Sequence, residues 1–287
     1  MGAAGGQKTE RLDEALRQGW VEYWYQPKIN LKRRQLAGLE TFARIRHPGQ
    51  GILAAKELLP GASAAAMTEL SERALIAALK TNRSLREIGI ADICFSVNMT
   101  VDGLKRIPIA GLAKKYAGIE ESPKLVFDVN EREVMDRIPD TYAIEKNLKR
   151  HGFRLAIDDF GSSFLSIRER GQELERVLNV VCGKFRKLAG GLFAEMKLDP
   201  ALVANCNKSE RKRMICENII RLAHSMGSAA VAISLESKRE LETMENMRCD
   251  IGQGFLLGEP MSEQMLLSSL RQRAVRRETK PKGRTAA

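Results

Sequence analysis

Long apolar runs are missing from this 287-residue chain, and its cysteines are few and scattered. No hydrophobic stretch approaches the ~18 residues that a membrane-spanning helix needs, so no span is predicted. The opening MGAAGGQ lacks the charged, apolar and small-residue order of a secretory leader. The five cysteines form no CxxC pair, which argues against a disulfide framework or zinc site and predicts reduced, mostly buried thiols. Together these absences predict a cytoplasmic protein.

Positive charge is in excess, and part of the excess lies at the end of the chain. Lys and Arg number 47 against 36 Asp and Glu, a formal net charge of +11. The basic composition of residues 269–287 predicts a solvated, disordered tail. The alternative is an acidic partner: nucleic acid, a membrane surface or a protein. Because no recognition helix or basic groove with interleaved aromatics is evident, we do not expect nucleic-acid binding.

The chain alternates regularly between helical and strand patterns. Hydrophobic residues make up 44% of it, enough for the core of one large barrel or two ordinary domains. Three candidate strands end in Asn98, Asp128 and Asp158, each 30 residues after the last, the length of one βαβ unit. Eight strand candidates in all predict an α/β fold, a (β/α)8 TIM-type barrel at 20–268 after a lead-in segment at 1–19. A doubly wound open sheet is the alternative.

Polar residues at the ends of these strands are candidates for a functional rim, because barrel chemistry lies at the C-terminal ends of the strands. The residues expected to converge there are Glu40, Asn98, Asp128, Asp158, Asp159 and Lys197. Clustered carboxylates repel one another unless cations are present, and such oxygen donors suit Mg²⁺ or Mn²⁺. Two such ions can direct water onto a phosphodiester, with Lys197 neutralising phosphate charge or positioning the water. The alternative is that these acids are helix caps and surface charges.

Eight short motifs occur in an order that resembles the EAL-domain cyclic di-GMP phosphodiesterases, from about Tyr23 to Pro260. They are YQP at 25–27, ETFAR at 40–44 for the family's EALLR, HP at 47–48, FSVNMT at 95–100 for SVNLS, FDVNE at 127–131 for LEITE, DDFG at 158–161, MKLD at 196–199 for LKID, and CDIGQGFLLGEP at 249–260 for CDYVQGYLFSRP. Each motif is short, and it is their common order that identifies the family.

The resemblance implies a set of residues that bind metal and substrate. The implied metal ligands are Glu40, Asn98, Asp128, Asp158 and Asp159. It further implies Lys197 near the attacking water, phosphate contact at Arg44, and substrate-side glutamines at Gln26 and Gln253. Glu131 matches the family glutamate that holds the loop after DDFG. The implied ligands are cyclic di-GMP and Mg²⁺ or Mn²⁺ in a weakened two-metal site, and a protein partner and a homodimer are further candidates.

The clearest departure from the family is at residues 230–236, where AVAISLE stands in place of VVAEGVE. The first glutamate of that motif, the family's general base, is replaced by Ile233, while the second is kept as Glu236. An apolar side chain can neither ligate a metal nor take a proton, and loss of a positioned base costs about 10² to 10⁴ in rate. Glu236 is a weaker candidate to substitute for it.

Three smaller departures concern the metal site and its surroundings. Asp128 replaces a ligand glutamate and is shorter by one methylene, roughly 1.5 Å of reach. The loop SSFLS at 162–166 replaces TGYSS, which predicts altered switching. The segment between DDFG and Lys197 is longer than in the family and carries a helical pattern at 167–190. Its apolar stripe either covers a core or meets a partner helix.

These departures favour a degenerate EAL domain in cyclic di-GMP regulation, acting as a nucleotide-binding or protein-interaction module with lost or weak hydrolysis. The substrate-side residues Gln26, Arg44 and Gln253 are kept, whereas the base is not. The alternative is an active Mg²⁺- or Mn²⁺-dependent phosphodiesterase that releases the linear dinucleotide. Glu40, Lys197 and the paired aspartates support that alternative.

Overall fold

Ten strands form one sheet in the residues that the structure, a computed structural model, describes: 10–117 and 123–278. The strands are β1 (Val21–Asn30), β2 (Gln35–His47), β3 (Gly51–Ala54), β4 (Cys94–Asn98), β5 (Leu125–Asn130), β6 (Arg154–Phe160), β7 (Phe193–Leu198), β8 (Ala229–Ala232), β9 (Ile251–Gly252) and β10 (Met261–Ser262). Strand β5 shows the pattern of a parallel strand covered on both faces, because all of its residues before Asn130 are buried.

The sheet closes into an eight-stranded barrel. Strands β2, β4, β5, β6, β7, β8 and β9 are joined in parallel, and β1 pairs antiparallel with both β2 and β9. The short strands β3 and β10 attach antiparallel to β2 and β1. The predicted barrel is therefore confirmed and the open-sheet alternative is wrong.

Helices surround the barrel in the described part of the chain. They are α1 (Glu10–Arg17), α2 (Ala64–Glu87), α3 (Val101–Arg106), α4 (Ile109–Tyr116), α5 (Glu131–Asp136), α6 (Ile138–Lys149), α7 (Gly171–Ala189), α8 (Pro200–Val203), α9 (Glu210–Ser225), α10 (Lys238–Asn246) and α11 (Glu263–Glu278). The single helical pattern at 102–116 is divided into α3 and α4. Pro108 causes the division, because it lacks an N–H group and holds Ile107 in an extended conformation, with ψ 129°.

Helix α1 packs onto the barrel domain through a second, smaller core. Its side chains Leu12, Ala15 and Leu16 are buried with Ile45 and Leu70. The lead-in segment predicted at 1–19 thus contributes a packed helix; residues 1–9 lie outside the described residues.

The segment between β6 and β7 forms helix α7, which packs against α9. Its buried stripe joins the main core and consists of Leu174, Leu178, Cys182, Phe185 and Ala189. The apolar stripe predicted in this segment therefore covers the core. On the outer face of the helix, Val180 and Leu188 are exposed.

Helix α11 begins at Glu263 and ends at Glu278, so it continues into the segment 269–287 that was expected to be disordered. Residues 279–287 of that segment lie outside the described residues. The five cysteines are all free thiols; Cys94 is half-buried and the other four are buried. Among the helices of the described ranges, none combines the length and apolar character that crossing a bilayer requires.

Candidate functional site

Lys197 lies at the centre of a polar cluster at the rim, the C-terminal ends of the parallel strands. Strand β7 directs it into the barrel, where its side chain is 1% exposed. Its Nζ donates to Glu40 Oε2 and to Asp128 Oδ2, each at 3.0 Å, and lies 3.3 Å from Asp158 Oδ1. One ammonium group therefore meets carboxylates from three other strands.

Side-chain amides fix the orientation of the Glu40 carboxylate. Asn98 Nδ2 donates to Glu40 Oε1 at 3.0 Å. Gln253 Nε2 donates to Glu40 Oε2 at 2.9 Å and to Gln26 Oε1 at 3.1 Å. Gln26 in turn donates to the Gly258 carbonyl at 2.9 Å. The glutamines predicted on the substrate side thus lie beside Glu40 and are buried with it.

The two adjacent aspartates of DDFG point in different directions. A register shift interrupts the pairing of β6 with β7, and Asp159 has a left-handed backbone with φ 53°. Asp158 consequently faces Lys197, while Asp159 Oδ2 accepts a hydrogen bond from Asn130 Nδ2 at 3.1 Å. Asp159 forms the edge of the cluster, and no contact in the described residues joins it to Lys197.

The loop after DDFG begins at Gly161, whose N–H donates to Glu131 Oε2 at 3.0 Å. Gly161 has φ 93°, and a Cβ there would lie 2.4 Å from Ile219 Cδ1, so only glycine suits the turn. A 3-10 turn at Ser162–Ser166 follows and buries Phe164. Glu131 is therefore placed to hold the loop, a role that stays a prediction.

Burial and charge perturb the acid–base groups of the cluster. Burial lowers the pKa of Lys197, but the surrounding carboxylates, Asp128 foremost, outweigh it and hold the pKa well above the ordinary value. Burial raises the pKa of Glu40, yet Lys197 and the amide hydrogen bonds reverse this and lower it overall. Burial, reinforced by Glu40, raises the pKa of Asp128 to about 7. Burial and then Asp158 raise the pKa of Asp159 to about 6.

Arg44 lies two residues beyond Phe42 on β2 and makes no contact with Lys197 or its carboxylates in the described residues. Its guanidinium carbon is 5.8 Å from the ring centroids of both Trp24 and Phe42. It donates to the Ala43 carbonyl at 3.2 Å, and burial lowers its pKa. The residue is thus displaced from the carboxylate cluster along the β1–β2 hairpin.

The loop after β8 brings no carboxylate to the cluster. Ile233 is half-buried at the strand end, and Ser234 has φ 59° where the family motif has glycine. Glu236 is exposed, and its backbone N–H donates to Glu240 Oε2 at 3.3 Å. The structure therefore gives Glu236 a place at the start of α10 with no contact to Lys197 among the described residues.

The donor chemistry of the rim fits a divalent cation. Its side chains offer oxygens: the buried Asp128 Oδ1 lacks a hydrogen-bond partner, and Asp158 Oδ1 has the 3.3 Å ion pair with Lys197 but no hydrogen bond. In the described part of the chain, no group of three or more His, Cys, Asp or Glu side chains is arranged to hold an ion. The Lys197 ammonium group already lies among the carboxylates, so a cation competes with it for the same oxygens.

A second charged group inside the barrel was not predicted. Lys28 Nζ donates to Ser96 Oγ at 2.6 Å and to both oxygens of Glu195, at 2.9 and 2.7 Å. Gly38 makes room for it, because a Cβ there would lie 3.2 Å from Lys28 Cε. Strand alternation is the sequence signal that could have indicated this group, because side chains two residues apart share a face of a strand. Lys28 is two residues from Gln26, and Glu195 is two residues from Lys197.

Comparison with known proteins agrees with this geometry. A family model described as "EAL domain" matches residues 9–172 and 184–260, and the chain belongs to the EAL domain family. The break in the match, 173–183, lies within α7. The unmatched residues lie inside the segment predicted to be longer than in the family, whose helical pattern covers 167–190.

Several relatives have assigned activities. The cyclic di-GMP phosphodiesterase NbdA of Pseudomonas aeruginosa is 27% identical over 259 residues, which are 89% of this chain and 31% of NbdA. The cyclic di-GMP phosphodiesterase RocR of the same organism is 25% identical over 253 residues, 87% of this chain and 59% of RocR. The chain thus spans about a third of NbdA and less than two thirds of RocR.

Solved structures share the fold. The PaMucR phosphodiesterase in complex with c-di-GMP superposes with a TM-score of 0.73 at 24% identity, covering 91% of this chain and 99% of that one. The FimX EAL domain from Pseudomonas aeruginosa bound to c-di-GMP gives a TM-score of 0.70 at 20% identity, covering 89% and 97%. These likenesses establish an EAL-type barrel.

Proposed function

We propose that the chain is a degenerate EAL domain that binds cyclic di-GMP at the rim and hydrolyses it weakly or not at all. The observation that carries the proposal is the end of β8, where Ile233 replaces the family's carboxylate and the exposed Glu236 makes no contact with Lys197 among the described residues. Loss of a positioned base costs about 10² to 10⁴ in rate. Binding can outlast turnover, because it depends on other residues.

The residues proposed to bind the nucleotide are Gln26, Arg44 and Gln253. Gln26 and Gln253 are linked to each other and to Glu40, so their side chains are already ordered before a ligand arrives. Ordered side chains bind a ligand at a lower entropic cost. Relatives named as cyclic di-GMP phosphodiesterases support the choice of ligand.

The residues proposed to hold a divalent cation are Glu40, Asn98, Asp128, Asp158 and Asp159. When bound, Mg²⁺ or Mn²⁺ would polarise a phosphodiester and its attacking water. The unpartnered Oδ1 of Asp128 supports this assignment, as does Asp158 Oδ1, which has an ion pair with Lys197 but no hydrogen bond. Lys197, held by three carboxylates, weakens it by competition, and the shorter side chain of Asp128 has the same effect.

The experiment combines calorimetric binding of cyclic di-GMP with chromatography of the linear dinucleotide, in Mg²⁺ and in Mn²⁺. We expect binding with little or no product from the native chain. Ile233→Glu should gain hydrolysis by about 10² or more, whereas Ile233→Gln, which has similar size without charge, should gain none. Turnover by the native chain at rates typical of enzymes would refute the proposal.

A second candidate is a working metal-dependent phosphodiesterase. The observation that favours it is the gathering of Glu40, Asn98, Asp128, Asp158 and Lys197 at one rim. In that case Glu236→Gln should lower product formation if Glu236 replaces the missing base. If the native chain binds no nucleotide at all, a role in binding a protein partner or a second copy becomes the better explanation.

A further inference from the structure

Two aromatic side chains line the β1–β2 hairpin just beyond the rim. Trp24 and Phe42 are directly opposite each other in the antiparallel register, and Gln26 and Glu40 form the second pair further along it towards the barrel. Because alternate residues of a strand share a face, Trp24 and Phe42 lie on the same face as Gln26 and Glu40. The two pairs are separated by two residues, ~6.8 Å along the strands.

The opposite face of β1 anchors the hairpin to α2. The Tyr23 hydroxyl donates to the Leu70 carbonyl at 3.1 Å, and the Tyr25 hydroxyl accepts a bond from Thr81 Oγ1 at 2.7 Å. These bonds determine which side of the strand faces the helix. Trp24 is therefore left on the side that faces the mouth of the barrel, where it is half-buried.

The Trp24 indole is held in one orientation. Its Nε1–H donates to Glu22 Oε1 at 2.8 Å, and Arg46 Nε and Nη2 donate to the same carboxylate at 3.0 and 3.1 Å. The polar edge of the ring is thereby satisfied, which leaves its faces for apolar or π contacts. Glu22 is fully engaged by Trp24 and Arg46, although its cross-strand partner is Arg44.

Arg44 lies over both rings, with its guanidinium carbon 5.8 Å from each centroid. Among the described residues its donors have one hydrogen-bond partner, the Ala43 carbonyl, and no ion pair. The nearby Glu57 raises its pKa without offsetting the effect of burial. A half-buried cation with free N–H donors next to two aromatic faces suits a ligand that combines an anion with a planar ring.

We propose that Trp24 and Phe42 form a platform on which a guanine base of a cyclic dinucleotide stacks, while Arg44 binds the adjoining phosphate. The inference rests on the proposed function and adds a base-binding surface to it. A nucleotide whose phosphate is held by Arg44 has its base within reach of both rings. Phe42 stands where the family motif EALLR has leucine, so the platform distinguishes this chain from that pattern.

The test uses the two tryptophans of the chain, Trp20 and Trp24. Trp20 packs edge-on against His47, 5.2 Å between centroids, and belongs to the smaller core. Trp20→Phe leaves Trp24 as the only indole, and Trp24→Phe leaves Trp20. Titration with cyclic di-GMP should quench the emission of Trp20→Phe and leave the emission of Trp24→Phe unchanged.

Calorimetry on the same proteins gives the affinities. Trp24→Ala should weaken binding about 5- to 100-fold, the range found when a stacking aromatic is removed. Phe42→Leu should weaken it less, and Trp20→Phe should bind like the native chain. Thermal melts of each variant establish that it is folded.

Three outcomes would overturn the platform. If the native chain binds and Trp24→Ala, shown to be folded, binds equally well, the platform is wrong and the proposed function stands. The same conclusion holds if Trp20→Phe binds by calorimetry without any change in emission. If the native chain binds no cyclic di-GMP, both the platform and the proposed function are wrong.

Discussion

Two buried lysines lie inside the same barrel and differ in the number of carboxylates that surround them. Lys28, Glu195 and Ser96 form what we call the lower layer. There, one cation meets one carboxylate and one hydroxyl group. Lys197 forms the upper layer, at the rim, where one cation meets the carboxylates of Glu40, Asp128 and Asp158. Glu195 and Lys197 are two residues apart on β7, so a single strand contributes to both layers.

This difference indicates that the lower layer is a structural ion pair, whereas the upper layer can bind a further cation. In the lower layer, both carboxylate oxygens of Glu195 accept hydrogen bonds from Lys28. In the upper layer, the buried Asp128 Oδ1 has no hydrogen-bond partner, and Asp158 Oδ1 has the longer, 3.3 Å ion pair with the shared Lys197. Uncompensated buried charge is costly, so the upper layer favours an additional cation or proton and the lower layer needs neither.

The largest expected effect is on the lower layer. Lys28→Met should lower the free energy of unfolding by about 3–5 kcal/mol, because it leaves the Glu195 carboxylate buried without a partner. Lys28→Met combined with Glu195→Leu should recover most of this loss, since a buried pair can be replaced by apolar residues of similar volume. Urea denaturation measures both.

An exposed ion pair provides the control for that measurement. Arg83→Ala removes the ion pair with Glu87, in which the two side chains are 65% and 63% exposed. It should lower the free energy of unfolding by less than about 0.5 kcal/mol. If Lys28→Met proved as mild as Arg83→Ala, the lower layer would not be a structural ion pair.

In the upper layer, the stability lost when Lys197 is replaced should be restored by a divalent metal ion. Lys197→Met should cost about 3 kcal/mol without divalent ions, less than Lys28→Met because Asp128 can take up a proton. Mn²⁺ at a hundredfold excess over its dissociation constant should restore about 2.7 kcal/mol. Thermal melts with and without Mn²⁺ measure this. Equal rescue of Lys28→Met, or no rescue of Lys197→Met, would remove the distinction between the layers.

A smaller effect should appear in the pH dependence of stability. The pKa of Asp128 is raised from 3.8 to about 7, so the folded state holds a proton that the unfolded state has released. Its contribution to stability is complete below pH 4 and is lost as the pH rises through 7. Asp159, with its pKa raised to about 6, acts with the same sign.

Asp128→Asn should therefore reduce the fall in stability between pH 4 and 7, measured by melts in metal-free buffer. The exposed Asp136→Asn is the control and should leave the profile unchanged. A steeper fall in Asp128→Asn would mean that the upper layer is not short of cations.

The smallest expected effect concerns the loop after β8, which brings no carboxylate to the upper layer. Ser234 has φ 59°, a left-handed conformation that costs a residue with a side chain about 1 kcal/mol. Ser234→Gly relieves this strain but loses more entropy on folding, so a net gain of about 0.5 kcal/mol is expected. A destabilised Ser234→Gly would show that the serine side chain makes a contribution to this loop.

Much of the fold could be predicted because parallel strands carry strong local signals. The spacing of Asn98, Asp128 and Asp158 gave the βαβ repeat, and the apolar run before each gave the buried strand. The reversed direction of β1 could not be predicted, since alternation does not depend on strand direction. The extent of β9 was also beyond prediction, because it ends at Gly252, two residues before Gly254, where a Cβ would lie 2.2 Å from the Leu235 backbone.

The site residues that belong to a sequence motif were predicted most completely. Those whose role depends only on three-dimensional geometry were predicted least completely. Glu40, Asn98 and Lys197 are brought together as the strand ends suggested. The bulge that turns Asp159 away from Asp158 could not be predicted, because it depends on the pairing of β6 with β7. Lys28 and Glu195 resemble ordinary strand-edge charges until the closed barrel places them opposite each other.

Alternation of charge along β7 also has a consequence for folding. Glu195 and Lys197 point into the barrel, while Met196 and Leu198 pack in the core between strands and helices. A slip of one residue would move both charges into that apolar layer and both apolar side chains to the axis. Such a misaligned strand would bury two unpaired ions, at a cost of several kcal/mol each. The charged layers thus select a single alignment of β7 as the barrel closes.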